Sequence, residues 1–163
     1  MRADGVTKLR PWDSVEEMDE AMIDNWNRVV KPGDRVYHLG DVVINRKALV
    51  TLNRLNGRKV LIKGNHDIFK LGDYLPYFDD IRGYHILDQY MLAHIPVHPQ
   101  QLYRWSGQFH GHLHSNRVML EKTVGRQTVV SEEIDPRYLN LSVEQINFTP
   151  VSFDEAKKMM ENQ

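Results

Sequence analysis

The chain has 163 residues, one domain's worth, with no cysteine, 21 basic and 22 acidic side chains and a net charge of −1. The missing cysteines exclude a disulfide scaffold, thiol catalysis and thiolate zinc fingers. The even charge excludes a broad pull toward nucleic acid or anionic membrane, and the lack of a long apolar run or leader makes the cytoplasm the default location.

The first dozen residues are polar and are expected to be loosely held, with residues 1–163 forming a single domain. Ser14-Val15-Glu16-Glu17 reads as a capping box, in which a hydroxyl and a carboxylate each satisfy an orphan N–H. Val15, Met18, Met22, Trp26 and Val29 follow at helical spacing, and Lys31-Pro32-Gly33 stops the helix. Arg35 to Leu39 reads as a strand ending at Gly40-Asp41. Arg46 to Asn56 carries Leu49, Leu52 and Leu55 and reads as a helix, with Gly57 beyond its end. Lys59 to Lys63 is a buried-type strand ending at Gly64-Asn65-His66-Asp67. Residues 35–63 therefore predict a right-handed βαβ unit with parallel strands.

A second series of strands is predicted at Tyr90 to Ile95, Gly107 to His110, Tyr138 to Val143 and Ile146 to Phe148. Val118 to Leu120 and Thr128 to Val130 flank Gly125 as a hairpin. Ser152-Phe153-Asp154-Glu155 is a second capping box and opens a terminal helix.

The chemistry-bearing residues follow the apolar strands directly. They are Asp41, Asn65-His66-Asp67, His94 and His112-Leu113-His114, each cluster with Gly or Pro beside it. Five of the eight histidines fall within the 21 residues from His94 to His114. Sequence-distant clusters converge just outside the carboxyl ends of strands in an α/β scaffold. Carboxylate oxygen, amide oxygen and imidazole nitrogen together suit borderline divalent metals such as Mn, Fe, Zn, Co or Ni. His38, His98 and His110 read as packing groups or partners of ligands, and His85 has no motif support.

Gly40-Asp41, Gly64-Asn65-His66-Asp67, His94 and Gly111-His112-Leu113-His114, in that order, resemble the calcineurin-like metallophosphoesterase family. The stretches 10–19, 94–99 and 140–144 are similar to its small bacterial and phage members, so the resemblance covers nearly the whole chain. It implies an α/β fold, a β-sandwich flanked by helices, and hydrolysis of a phosphomono- or phosphodiester by hydroxide formed at a metal centre. By the resemblance, Asp41 would bridge two metals, Asn65, His94 and His112 would complete one of them, and His114 would serve the other. His66 would contact the phosphate and protonate the leaving oxygen, oriented by Asp67. The implied cofactor is divalent metal, Mn first, with Fe, Zn, Ni or Co as alternatives. The implied partner is a phosphate-ester substrate, nucleotides included, with nucleic acid only as substrate and no membrane.

The chain departs from that pattern in one respect. The family's first motif, Asp-any-His at the end of its first strand, is absent. The expectation is a chain that begins just downstream of it, lacking one central strand and two ligands of the metal served by His114. That gap would leave unpaired backbone groups for a second copy to cover. It also leaves a second functional reading: a metal-binding member with impaired or no catalysis.

Overall fold

In the computed structural model, which describes residues 10–125 and 127–163, helices and strands mix in an α/β arrangement built on three sheets. The first helix, α1 (Val15–Val29), begins as its sequence predicts. Ser14 Oγ accepts the Glu17 N–H at 3.0 Å, while the Glu17 carboxylate takes the N–H of Asp13 rather than of Ser14. Polar bonds tie α1 to the body: the Trp26 indole donates to Asn56 O at 2.9 Å, and Asn56 N–H donates to Asn27 Oδ1 at 2.8 Å.

The strands β1 (Arg35–His38), β2 (Arg58–Ile62) and β3 (Asp80–Arg82) form an all-parallel sheet in that order. The β1–β2 register pairs Arg35 with Arg58 and His38 with Leu61, as expected of the βαβ reading. The connection, however, is a 3₁₀ helix over Arg46–Arg54, not an α-helix. Leu49 and Leu52 stand three residues apart, and the 3.0-residue turn stacks them one above the other. Both are buried against Leu61, Tyr74 and Phe78 on one face of the sheet. Tyr74 closes the short helix α2 (Leu71–Tyr74). Among the described residues no strand precedes β1, which forms an edge of its sheet.

The second sheet has the order β4 (Tyr84–Leu87), β5 (Tyr90–Ala93), β6 (Gly107–His110) and β9 (Tyr138–Asn140). β4 and β5 are antiparallel across a two-residue turn with left-handed Asp88 and Gln89, whereas β5, β6 and β9 run parallel. Between β6 and β9, the strands β7 (Met119–Val124) and β8 (Gln127–Ile134) pair as a separate antiparallel hairpin. The two larger sheets share a core: Ile62 of β2 meets Leu92, Phe109 and Leu139, with Ala156 and Met160 of the terminal helix α3 (Phe153–Glu161). Leu102, Met91 and Tyr138 cover the far face of the second sheet.

Some expectations need correction. The strand predicted at Ile146 to Phe148 is a turn. Asn147 and Phe148 are left-handed, and the Phe148 N–H folds back onto Val143 O at 2.8 Å. The Tyr138 strand stops at Asn140, whose side chain turns to cap Ser142 N–H. Residues 1–9 of the predicted loose segment lie outside the described residues. Residues 10–12 are held, Arg10 by Met18 and Glu144 and Trp12 by an edge contact with Phe148. Among the described residues no helix is long and apolar enough to cross a membrane.

Candidate metal centre

The four predicted clusters leave the C-terminal ends of two pairs of parallel strands, one pair in each larger sheet: Asp41 after β1, Asn65 to Asp67 after β2, His94 after β5, and His112 and His114 after β6. The first two loops touch closely. A Cβ on Gly40, which sits at φ 92, would meet Gly64 N at 2.6 Å and His94 Nδ1 at 2.7 Å. A Cβ on Gly64 would meet Asp41 Oδ1 at 2.2 Å. Asp41, His112 and His114 all adopt positive φ (55, 67 and 50°), a conformation that costs free energy in a non-glycine residue and collects at functional sites.

His94 is the centre of the cluster and is 5% exposed. Its Nδ1–H donates to the Leu39 carbonyl at 2.7 Å, which in the neutral ring leaves a lone pair on Nε2. That Nε2 lies 2.9 Å from Asn65 Oδ1, 3.2 Å from Asp41 Oδ2 and 3.2 Å from His112 Nδ1. His112 Nδ1 is in turn 2.9 Å from Asn65 Oδ1. A carboxylate oxygen and an amide oxygen are acceptors only. With His112 in its Nε2–H tautomer, all four atoms present lone pairs to one another, an arrangement that favours a cation among them. The donor set fits a divalent metal of the first transition row and offers no thiolate to favour a softer ion. Asp41, His94 and His112 thus form a group that could hold a metal ion. The carbonyl that fixes the His94 ring is the usual backing for a ligating imidazole.

The other predicted residues fall elsewhere. His114 is not in this group; it is largely exposed, and its Nδ1 lies 3.2 Å from Glu144 Oε1. Its carbonyl accepts from both Asn140 Nδ2 (2.8 Å) and Gln145 Nε2 (3.0 Å). His66 is exposed, and no partner holds its ring among the described residues. Asp67, expected to orient His66, makes its hydrogen bonds elsewhere. Its carboxylate is fully buried and accepts the N–H groups of Asp41, Val42 and Gly64, and among the described residues no contact joins it to the His66 ring.

The flanking histidines behave as packing groups. His110 is fully buried, donates Nδ1–H to Gly111 O and leaves Nε2 without a partner. Burial, helped by His112 and His94 nearby and opposed by the Gly111 bond, pushes its pKa down to about 4. Burial likewise lowers the pKa of His38, whose Nδ1 accepts the Gly40 N–H. His85 stacks on Tyr37. The residue letters give no role to Leu39 O, Asn140, Glu144 or Gln145. A backbone carbonyl leaves no signal in them, and the 140–144 stretch carries no sign of its His114 partner.

No family model matches the chain. It is 36% identical over 156 residues to the uncharacterized protein MJ1445 of Methanocaldococcus jannaschii, which spans 93% of this chain and 80% of that protein. The chain belongs to the family of that archaeal protein. Its fold is similar to that in the crystal structure of the protein of unknown function AQ665 from Aquifex aeolicus, with a TM-score of 0.69, 24% identity and coverage of 98% of this chain and 94% of that one. This likeness supports the fold across nearly the full length.

Proposed function

We propose that the protein is a calcineurin-like metallophosphoesterase that hydrolyses a phosphate ester at the Asp41, Asn65, His94 and His112 centre. The observation that carries this reading is the convergence of four atoms able to ligate a metal, at contacts of 2.9–3.2 Å, at the ends of four strands. These four residues would hold a divalent cation, Mn first in order of fit with the resemblance. Once bound, such an ion supplies Lewis acidity toward a phosphoryl oxygen and lowers the pKa of water. The remaining work belongs to the chain. His66, exposed beside Asn65, is free to meet a substrate oxygen and to deliver a proton to the leaving group. Leu39 O holds the His94 ring so that Nε2 stays directed into the centre.

One observation favours a second reading, a metal-binding protein with impaired catalysis. His114, assigned by resemblance to a second metal, stands apart on Glu144 and leaves a single group of converging ligands among the described residues. Metal content per chain and Mn-supported hydrolysis of bis(p-nitrophenyl) phosphate, on one sample, separate the two. Turnover that vanishes in His66→Ala while bound metal persists supports the enzyme. Bound metal with no turnover of that diester or of p-nitrophenyl phosphate supports the binding protein.

A further inference from the structure

The buried carboxylate of Asp67 does not touch the converging ligand atoms, yet it joins the two loops that carry them. It is 0% exposed. Oδ2 accepts the N–H of Asp41 at 2.8 Å and of Gly64 at 2.8 Å, and Oδ1 accepts the N–H of Val42 at 2.9 Å. Among the described residues no cationic side chain forms an ion pair with it. A buried negative charge held only by neutral donors is costly, and three amide donors offset part of that cost.

Asp41 completes the exchange in the opposite direction. Its Oδ1 accepts the His66 N–H at 2.8 Å, so the loop after β1 and the loop after β2 each insert a carboxylate into the other's backbone. The consequences fall on the ligands. With Oδ1 committed to His66, Asp41 has Oδ2 left to face His94 Nε2. Asn65 lies between two residues whose N–H groups are both committed, Gly64 to Asp67 and His66 to Asp41, and its Oδ1 is thereby carried to 2.9 Å from both imidazoles.

We propose that Asp67 is the positioning residue of the metal centre: it pins Asp41 in its left-handed backbone and sets the 64–66 turn, and so controls cation affinity without contacting the ion. This rests on the reading that the Asp41, Asn65, His94 and His112 group takes a divalent cation. The uncompensated charge of Asp67 acts in the same direction, since it favours a cation nearby.

The substitution Asp67→Asn keeps size and removes both the charge and one acceptor. Its new NH₂ must face amide donors, so the two loops lose their common partner. The probe is Co(II) alone, read by its visible absorption bands and by titration, at a temperature where circular dichroism shows each variant folded. The parent should give the bands of a protein-bound ion. Asp67→Asn should bind about 10- to 100-fold more weakly, the usual cost of losing a group that backs metal ligands. Asp135→Asn is the control: Asp135 is equally buried but is held by Arg137 far from the ligands in the chain, and this variant should keep the parent's affinity. Equal affinity of Asp67→Asn and parent would overturn the proposal, as would equal loss in both variants. A parent that binds no Co(II) overturns instead the reading of the centre itself. Should Asp67→Asn not fold, the parent suffices. Saturating Zn(II) should slow hydrogen exchange at the Asp41, Val42 and Gly64 amides together, because coupling between ion and clasp is reciprocal. Unchanged exchange at all three would refute it.

Discussion

Replacing Gly64 by Ala tests the close approach of the two loops most directly. A Cβ there would lie 2.2 Å from Asp41 Oδ1, 2.6 Å from Asp41 N and 3.0 Å from Asp41 Cγ. Comfortable heavy-atom contacts begin near 3.5 Å, so the loops must part by about 1 Å. A side-chain rotation cannot supply that, because one of the obstructing atoms is backbone nitrogen. That nitrogen is itself bonded to Asp67 Oδ2. Parting the loops stretches the His66 N–H to Asp41 Oδ1 bond beyond useful length from its present 2.8 Å. Overpacking costs about 1–3 kcal/mol and each lost hydrogen bond about 0.5–1.5 kcal/mol, giving a total of about 2–4 kcal/mol. For a chain of this size that corresponds to a Tm lower by roughly 4–16 °C. Asp41 Oδ2 moves with its loop, so Mn affinity should fall at least about tenfold. The control is Gly72→Ala in α2, where a Cβ would meet nothing within 4 Å and Ala is the better helix former. Thermal melts in chelator and calorimetric Mn titration of both variants provide the readout. Indistinguishable melting and affinity in the two would refute the steric argument.

The remaining predictions are independent of that contact. His112→Ala should lose bound metal and any phosphoesterase turnover together, whereas His66→Ala should keep the metal and lose turnover by about 10²–10⁴-fold; metal analysis beside diester hydrolysis checks both. Leu61→Ala removes a fully buried side chain packed against Leu49, Leu52 and Phe78, and should cost about 2–5 kcal/mol in urea unfolding. A loss below about 1 kcal/mol would mean this core is not packed as described. Stability should also depend on pH through His110, whose pKa burial pushes down to about 4 while the unfolded chain keeps about 6.5. Between those values the unfolded chain binds more protons. Stability in chelator is therefore fully present above about pH 6.5 and declines toward pH 4, by up to about 3 kcal/mol. Melts across that range should show a shallower slope in His110→Leu; an identical slope would assign the loss to other groups.

Much of the centre could be read from the sequence because each of its parts is locally encoded. A short apolar run followed at once by Gly-Asp, Gly-Asn-His-Asp or Gly-His-Leu-His states both where a strand ends and which donor atoms stand there. The same holds for the helix starts at Ser14 and Ser152, where a hydroxyl and an N–H three residues apart decide the matter alone. Strand pairing is less local. Asp80–Arg82 and Tyr84–Leu87 carry no pattern of their own beyond three or four residues, and they become strands because β2 and β5 offer them a ladder.

Contacts between residues far apart in the chain became visible in the fold alone. The letters name Asp67 but do not say that its oxygens reach the amides of Asp41 and Val42 rather than the neighbouring His66 ring. They name His94 but not the Leu39 carbonyl, 55 residues away, that fixes its tautomer. They place His114 beside His112, whereas the fold turns one toward the converging ligands and the other onto Glu144. The chemical types present and their place at strand ends are encoded locally, since they follow from short-range hydrogen bonding and alternation. Which atoms meet was decided by the packing of two sheets, because a lone pair acquires a partner only when separate strands bring the two together.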